Sequence, residues 1–450
     1  MNGVAAGECT VRVGRWQQAV DFVQRHRAVL AVIGVGLVCR LGLLLYYLST
    51  HGWQGEAWET EVIAQRLMEG KGLTMPSYGG RPSVSFSDPI FPVLSYLLHL
   101  IWGPGLGLFY ALHLAVAGLV LWLTYLLGSH VFDHRTGLLA TLLVAVEPGL
   151  VIYQSYKVDH NALTMLLMLL AALLILLVAR TGDRRPAFSC GLVIGIAVLM
   201  RPDELSLFGM LAVWAWIERR NLATIVKPAA VILAGAAMIL IPWMVRNSIL
   251  HGQPVFITTY SGEALWRGNN PNSTGTGLTL DGRPQFSAAP VEFQKQTAEA
   301  TEVGQNALFK EEAWRYIRQD PAGFLVRCLK KLYYFWWFTP TYAAIHYEWV
   351  PGSLVVAYKA LYGVLLAFAM LGLWLALRRI GDAYTWIVLS IPMWMALLHS
   401  ISYVEGRHRV MVMPIILIVT ASGMLTLMRV FLARWRPIEK GRIGRVASLP

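Results

Sequence analysis

Apolar runs broken by short polar segments recur along most of the chain, near 28 to 48, 107 to 128, 137 to 153, 160 to 179, 187 to 200, 204 to 217, 226 to 245, 354 to 377, 383 to 399 and 410 to 432. Most approach the roughly 20 residues needed to cross a bilayer, and in lipid such runs must be helical so that their backbone groups are satisfied internally. The pattern predicts about ten transmembrane helices. The runs 187 to 200 and 204 to 217 are short and read as a tilted or partly buried hairpin. If the runs alternate, the basic segments 180 to 185, 218 to 220 and 378 to 379 fall on one side with both basic termini, and the positive-inside bias makes that side cytoplasmic. The opposite side receives 49 to 106, the turns at 153 to 160 and 201 to 204, residues 246 to 353, and 400 to 409. Two segments read as helices lying at the interface: the proline-led "PIFPVLSYLLHLIWG" (89 to 103) and the aromatic, basic "FLVRCLKKLYYFWWF" (324 to 338). Between them lie the turn-rich "GNNPNSTGTG" (268 to 277) and a more helical stretch, 292 to 318.

The expected organisation is a basic cytoplasmic head (1–27), an N-terminal membrane module (28–245) with its first outer loop (49–106), a large outer loop (246–353), C-terminal membrane helices (354–432) and a basic tail (433–450). The first run is too long for a signal-peptide core and is read as a retained span. Composition agrees: 450 residues are 56% hydrophobic and 14% charged, with a mean hydropathy of +0.52. The fold class is an all-α polytopic membrane protein. A net charge of +12 belongs to topology, since Lys and Arg cluster beside apolar runs; no nucleic-acid partner is implied. Four cysteines show neither metal nor redox spacing.

The polar chemistry gathers on the outer side. "WQGEAWETEV" (53 to 62) places Glu56, Glu59 and Glu61 in six residues. On a helix Glu56 and Glu59 share a face and Glu61 points elsewhere. Two like charges on one face raise one carboxyl's affinity for a proton, which suits a general base; an ordinary wet acidic face reads equally well. Asp88, before a proline-led helix, reads first as an N-cap. Lys157, Asp159 and His160 offer a charge pair or an anion contact, with capping and snorkelling as the structural alternative. Arg40 lies inside the first run and is either functional or snorkelling. Arg201, Arg246, Arg407, His408 and Arg409 end runs on the side the bias disfavours, and together they point to an anionic ligand such as a lipid phosphate. There is no P-loop, dinucleotide fingerprint, G-x-S-x-G, H-E-x-x-H or D-x-D, so ATP-driven transport, redox work, common hydrolysis and a metal held by paired aspartates lack support.

These residues resemble a known pattern. Arg40 in a first span is followed by an acidic segment and "IAQRLMEGKGLTMP", where Ile63, Ala64, Leu67, Gly70, Gly72 and Pro76 match; then come "DPIFPVLSYLLHLIWG", "LMRP", "VRNSILHG" with "LWRGNNPNSTGTG", and "GRHRVMVMPIILIVTASGM". The set is similar to the bacterial members of the dolichyl-phosphate-mannose protein mannosyltransferase superfamily, integral-membrane glycosyltransferases of the GT-C fold, and it covers nearly the whole chain. The resemblance implies transfer of a sugar from a polyprenyl-phosphate donor to a protein, glycan or lipid acceptor at the outer face of the inner (plasma) membrane. It implies a carboxylate base in the first outer loop. An aspartate eight residues before the matched Ala64 falls on Glu56, and a glutamate five before it falls on Glu59. The second acidic position falls on Asp159.

With such a base, arginine or lysine would stabilise the leaving phosphate, and no metal is obligatory, although a divalent ion remains compatible. The clamp candidates are Lys157, Arg201, Arg246, Arg407 and Arg409. The competing expectations are a transporter or lipid-sugar flippase and a nonenzymatic scaffold using the large outer loop.

Overall fold

The computed structural model describes residues 4–52, 59–103, 105–219, 221–340, 351–379 and 383–434. All ten expected runs are helical there, and six helices are long and apolar enough to span: His26–His51, Gly107–Val131, Asn161–Thr181, Ala223–His251, Gly352–Leu377 and Gly406–Leu432. In chain order the helices that matter for the site are α1 (Val4–His51), α2 (Glu59–Met68), α3 (Ile90–Trp102), α4 (Gly107–Val131), α5 (His134–Val146), α6 (Pro148–Tyr153), α7 (Asn161–Thr181), α8 (Arg184–Met200), α9 (Gly209–Ile217), α10 (Ala223–His251), α11 (Ser261–Arg267), α12 (Val291–Glu299), α13 (Glu302–Gln319), α14 (Pro321–Trp336), α15 (Gly352–Arg379), α16 (Thr385–Leu389), α17 (Ile391–Ile401) and α18 (Gly406–Arg434). α1 begins at Val4, so the basic head continues the first span as helix.

Three expected runs are interrupted, two of them beside a proline. Residues 137 to 153 divide into α5 and α6 before Pro148, 204 to 217 open as a 3-10 helix led by Pro202 (Pro202–Phe208) before α9, and 383 to 399 divide into α16 and α17 beside Pro392. A proline has no N–H to continue a ladder but suits a first turn, so α6, the 3-10 turn and α17 each carry one in their first two positions. α8 is followed directly by that 3-10 turn, which packs on α17 and α8. Neither half of this pair counts among the six long spans.

α18 is the most enclosed of the long spans, 72% of its apolar window being buried, whereas the corresponding window of α1 is 22% buried. α18 lies along α15 and α5, and α8 along α10. The α15–α18 approach depends on Gly372 and Gly423: a side chain at either would collide with a carbonyl of the opposite helix, Val419 O or Phe368 O. Without a hydrophobic force between helices in lipid, small residues that admit backbone contact decide such interfaces.

The segments between spans build a cap at one end of the bundle. It contains α2, a two-residue hairpin of β1 (Met75–Pro76) and β2 (Pro82–Ser83), α3 and the helices α11 to α14. α3 and α14 fall where the sequence placed interfacial helices, and the run 292 to 318 divides into α12 and α13. Lys331 of α14, fully buried, ties the cap to the bundle by donating to Gly268 O (3.2 Å), Asn269 Oδ1 (3.0 Å), Ile401 O (3.0 Å) and Ser402 O (2.7 Å).

Candidate active site at the capped end of the bundle

α8 ends at Met200, and Arg201 turns into extended backbone before Pro202. Its side chain, 8% exposed, is held on two sides. Nε donates to Asp203 Oδ1 (2.8 Å), Nη2 donates to Asp203 Oδ2, and Nη1 donates to Asn161 Oδ1 (3.0 Å). Asn161 opens α7 and is itself fixed by Asp159, which accepts from its backbone N–H (2.9 Å) and its Nδ2 (2.6 Å). Burial works against ionised Asp203, yet Arg201 and His399 hold its carboxyl well below the ordinary range. His399 of α17 donates from Nε2 to Asp203 Oδ2 (3.1 Å) and from Nδ1 to the Tyr403 carbonyl (3.1 Å).

The turn after α17 supplies the opposite wall. Arg407, in the first turn of α18, pairs with Glu405 at 2.8 Å. The Tyr260 hydroxyl donates to that of Tyr403 (3.1 Å), and Arg267 lies over both rings, 5.4 and 5.8 Å from their centroids, while pairing with Glu263. Arg201 and Arg407 act on each other as like charges, and both act on Asp159 or its neighbour His160. Burial pushes the Asp159 carboxyl up to about 6 against the pull of Asn161, Arg407 and Lys157. Burial, followed by Arg201 and Arg407, holds His160 well below its ordinary value.

Asp88, ahead of α3, joins the same field. Burial pushes its carboxyl up to about 7; Arg201 opposes this, while Asp203 and Glu59 add to it. Its Oδ2 has no hydrogen-bond partner. The loop leading to Asp88 is pinned by Glu302, which accepts from Val84 N (2.7 Å), Ser85 N (2.9 Å) and Thr259 Oγ1 (2.7 Å). Two cations from distant parts of the chain and the carboxyls Asp88, Asp159 and Asp203 therefore share one field. Such a patch can hold an anion with guanidinium groups beside a proton acceptor.

The other sequence candidates divide. Glu56 lies outside the described residues. Glu59 is exposed in the first turn of α2, within the field of Asp88. Glu61 is committed to α3, accepting from His99 Nε2 (2.6 Å) and Ser95 Oγ (2.8 Å). Lys157 lies over the Tyr156 ring at 5.7 Å and acts on Asp159. His408 stacks on His399 with ring centroids 3.7 Å apart. Arg246 instead braces the loop before Asp88, donating to Val84 O (2.8 Å) and Asn247 Oδ1 (2.8 Å) over the Trp243 ring.

Arg409 donates to Trp337 O and stacks on Tyr362 at 4.1 Å. Arg40 does not snorkel: it is fully buried and donates to Gln154 Oε1, Gly36 O, Ala145 O and Val144 O. The reason lies in the α5–α6 break. Val144 O would accept from residue 148 in a continuous helix, Pro148 has no N–H, and Arg40 supplies the missing donor.

Sequence reasoning missed Asp203, His399, Glu405, Arg267 and Glu302. The first stood in plain view beside Arg201 in "LMRPDEL", whereas a lone histidine at a helix end carries no signal of its own. Asp203, His399 and His408 bring ligand atoms within 4.8 Å of one another, a spacing a metal could use. Their hydrogen bonds do not suit one. Asp203 is already taken by Arg201, and His408 Nδ1 accepts from Glu405 N–H (3.2 Å), which leaves the ring proton on Nε2.

Residues 89–245 match the family model described as dolichyl-phosphate-mannose-protein mannosyltransferase. No curated protein matches the chain by sequence. The fold is similar to that of the archaeal oligosaccharyltransferase AglB from Archaeoglobus fulgidus, solved in complex with an inhibitory peptide and a dolichol-phosphate, at 14% identity and a TM-score of 0.55 over 92% of this chain and 52% of that one. A second structure of the Archaeoglobus fulgidus oligosaccharyltransferase, in complex with Zn and sulfate, gives 16% identity and a TM-score of 0.54 over 90% of this chain and 50% of that one. This chain thus spans about half the length of these two solved chains. It is a multi-pass membrane protein of the GT-C fold whose residues 89–245 match the dolichyl-phosphate-mannose-protein mannosyltransferase family.

Proposed function

We propose that this protein is an inverting glycosyltransferase that moves a sugar from a polyprenyl-phosphate donor to a hydroxyl acceptor at the periplasmic or extracellular face of the inner (plasma) membrane. What supports this reading is that Arg201 and Arg407, each beside its own carboxylate, act on each other and on His160, next to Asp159 at the start of α7. The matched family domain contains Asp159 and Arg201, and the similar archaeal enzyme was solved with a dolichol-phosphate.

In the reaction the acceptor oxygen attacks the anomeric carbon. Its proton passes to a carboxylate of the first outer loop, Glu56 or Glu59. The bond from that carbon to the phosphate oxygen breaks with its electron pair staying on the phosphate. Arg201 and Arg407 stabilise the charge that develops there, aided by Lys157. Asp159 orients Arg201 through Asn161, and Asp88 tunes the local charge. A single displacement inverts the anomeric centre.

The test incubates purified protein with radiolabelled polyprenyl-phosphate sugars and cell-envelope extract, comparing wild type with Glu56→Gln, Glu59→Gln and the double variant. Transfer by wild type, with loss in the double variant, is expected. Retained transfer in the double variant refutes the base assignment. Movement of the lipid-linked sugar across a proteoliposome bilayer without transfer refutes the enzyme in favour of a transporter.

A further inference from the structure

We propose that Asp203 and His399 are positioning residues of the phosphate clamp, aiming the Arg201 guanidinium and tying it to the turn that carries Arg407. This rests on the functional reading above. Two guanidinium groups directed at one anion repel each other until it arrives, so their directions need fixing from behind. Asp203 takes Nε and one Nη2 proton of Arg201, and Asn161 takes one Nη1 proton. The remaining Nη2–H, and the Nη1–H resting on the Met411 sulfur (3.3 Å), a weak acceptor, stay available to a phosphate oxygen.

His399 then fixes Asp203. Both of its ring nitrogens face acceptors, the Asp203 carboxylate and the Tyr403 carbonyl, so both donate. Its ring stacks on His408, whose Nδ1 accepts from Glu405 N–H. Tyr403 and Glu405 belong to the turn that delivers Arg407. One imidazole thereby links the end of α8 to the start of α18, across 196 residues of sequence from Asp203.

The test measures binding of undecaprenyl phosphate, and of neutral undecaprenol, to the full-length protein in nanodiscs. Wild type is compared with His399→Phe, which keeps a stacking ring without N–H groups, and His399→Gln, which keeps one N–H for Asp203. A misdirected clamp is expected to lower undecaprenyl phosphate affinity about tenfold or more in His399→Phe. Undecaprenol binding should stay within about twofold, and His399→Gln should recover most of the loss. Unchanged phosphate binding in His399→Phe overturns the proposal. So does an equal loss for undecaprenol, or no recovery with glutamine, since either marks general disruption. Phosphate binding abolished by chelation and restored by Zn(II) assigns the cluster to a metal instead. A wild type that binds undecaprenyl phosphate no better than undecaprenol removes the functional reading itself, and the proposal with it.

Discussion

Replacing Arg40 by methionine separates a structural cation from a catalytic one. In wild type the guanidinium donates to Val144 O, Ala145 O and Gln154 Oε1 in the interior, all at 2.9 to 3.1 Å, and it lies in the field of the buried Glu147 carboxylate. The Gly36 carbonyl, a fourth acceptor, keeps its own helical partner. Three buried acceptors without donors cost about 3–9 kcal/mol together. Relief from burying the guanidinium offsets the upper part of this range, leaving about 3–5 kcal/mol, the usual result of removing one partner from a buried pair. At about 2 cal/mol/K per residue, a chain of 450 residues has an unfolding entropy near 1 kcal/mol/K, so Tm should fall by roughly 3–5 °C.

Tryptophan fluorescence during heating in detergent reads this shift. The double variant Arg40→Met, Glu147→Gln should be less damaged than the sum of the single variants by about 1–3 kcal/mol, because it also removes the buried charge that the guanidinium no longer balances. An Arg40→Met protein that keeps the wild-type Tm but loses undecaprenyl phosphate binding would refute the reasoning and return Arg40 to the ligand.

Other consequences are equally direct. Burial raises Asp88 from 3.8 to about 7, so between those values the folded protein binds the proton that the unfolded chain has released. Wild-type stability should therefore fall as pH rises through that window, and Asp88→Asn should flatten the fall; equal slopes in a pH series of unfolding would contradict the assignment. Gly423→Val drives a side chain into Phe368 O and should cost about 2 kcal/mol or more, read as a lower Tm, whereas wild-type stability would dismiss the close α15–α18 contact. Glu302→Gln leaves one of its two acceptor oxygens as an N–H donor, and amide exchange at Val84 and Ser85 should quicken about tenfold; unchanged protection would show that another group pins the loop.

The helical architecture was legible because hydropathy is local: each apolar run announces itself within some 20 residues, although only six of the helices are long and apolar enough to span. The prolines at 148, 202 and 392 were visible too, but whether a proline kinks a span or divides it depends on which neighbour satisfies the freed carbonyl. For Pro148 that neighbour is Arg40, more than 100 positions away. Basic residues on the disfavoured side singled out Arg201, Arg246, Arg407 and Arg409 alike. Sequence could not separate them, since a guanidinium that binds an anion and one that binds carbonyls look the same until packing chooses the partner. Arg246 and Arg409 meet Val84 O and Trp337 O, while Arg201 and Arg407 meet a carboxylate each. Spacing did set Glu61 apart from Glu56 and Glu59, and Ser95 and His99 account for it. His399 had no local signature, because its meaning lies wholly in Asp203.

The most direct test of the clamp is a structure of the protein with bound undecaprenyl phosphate. Phosphate oxygens about 3 Å from the guanidinium nitrogens of both Arg201 and Arg407 are expected. A phosphate seated away from both arginines would contradict the proposed site.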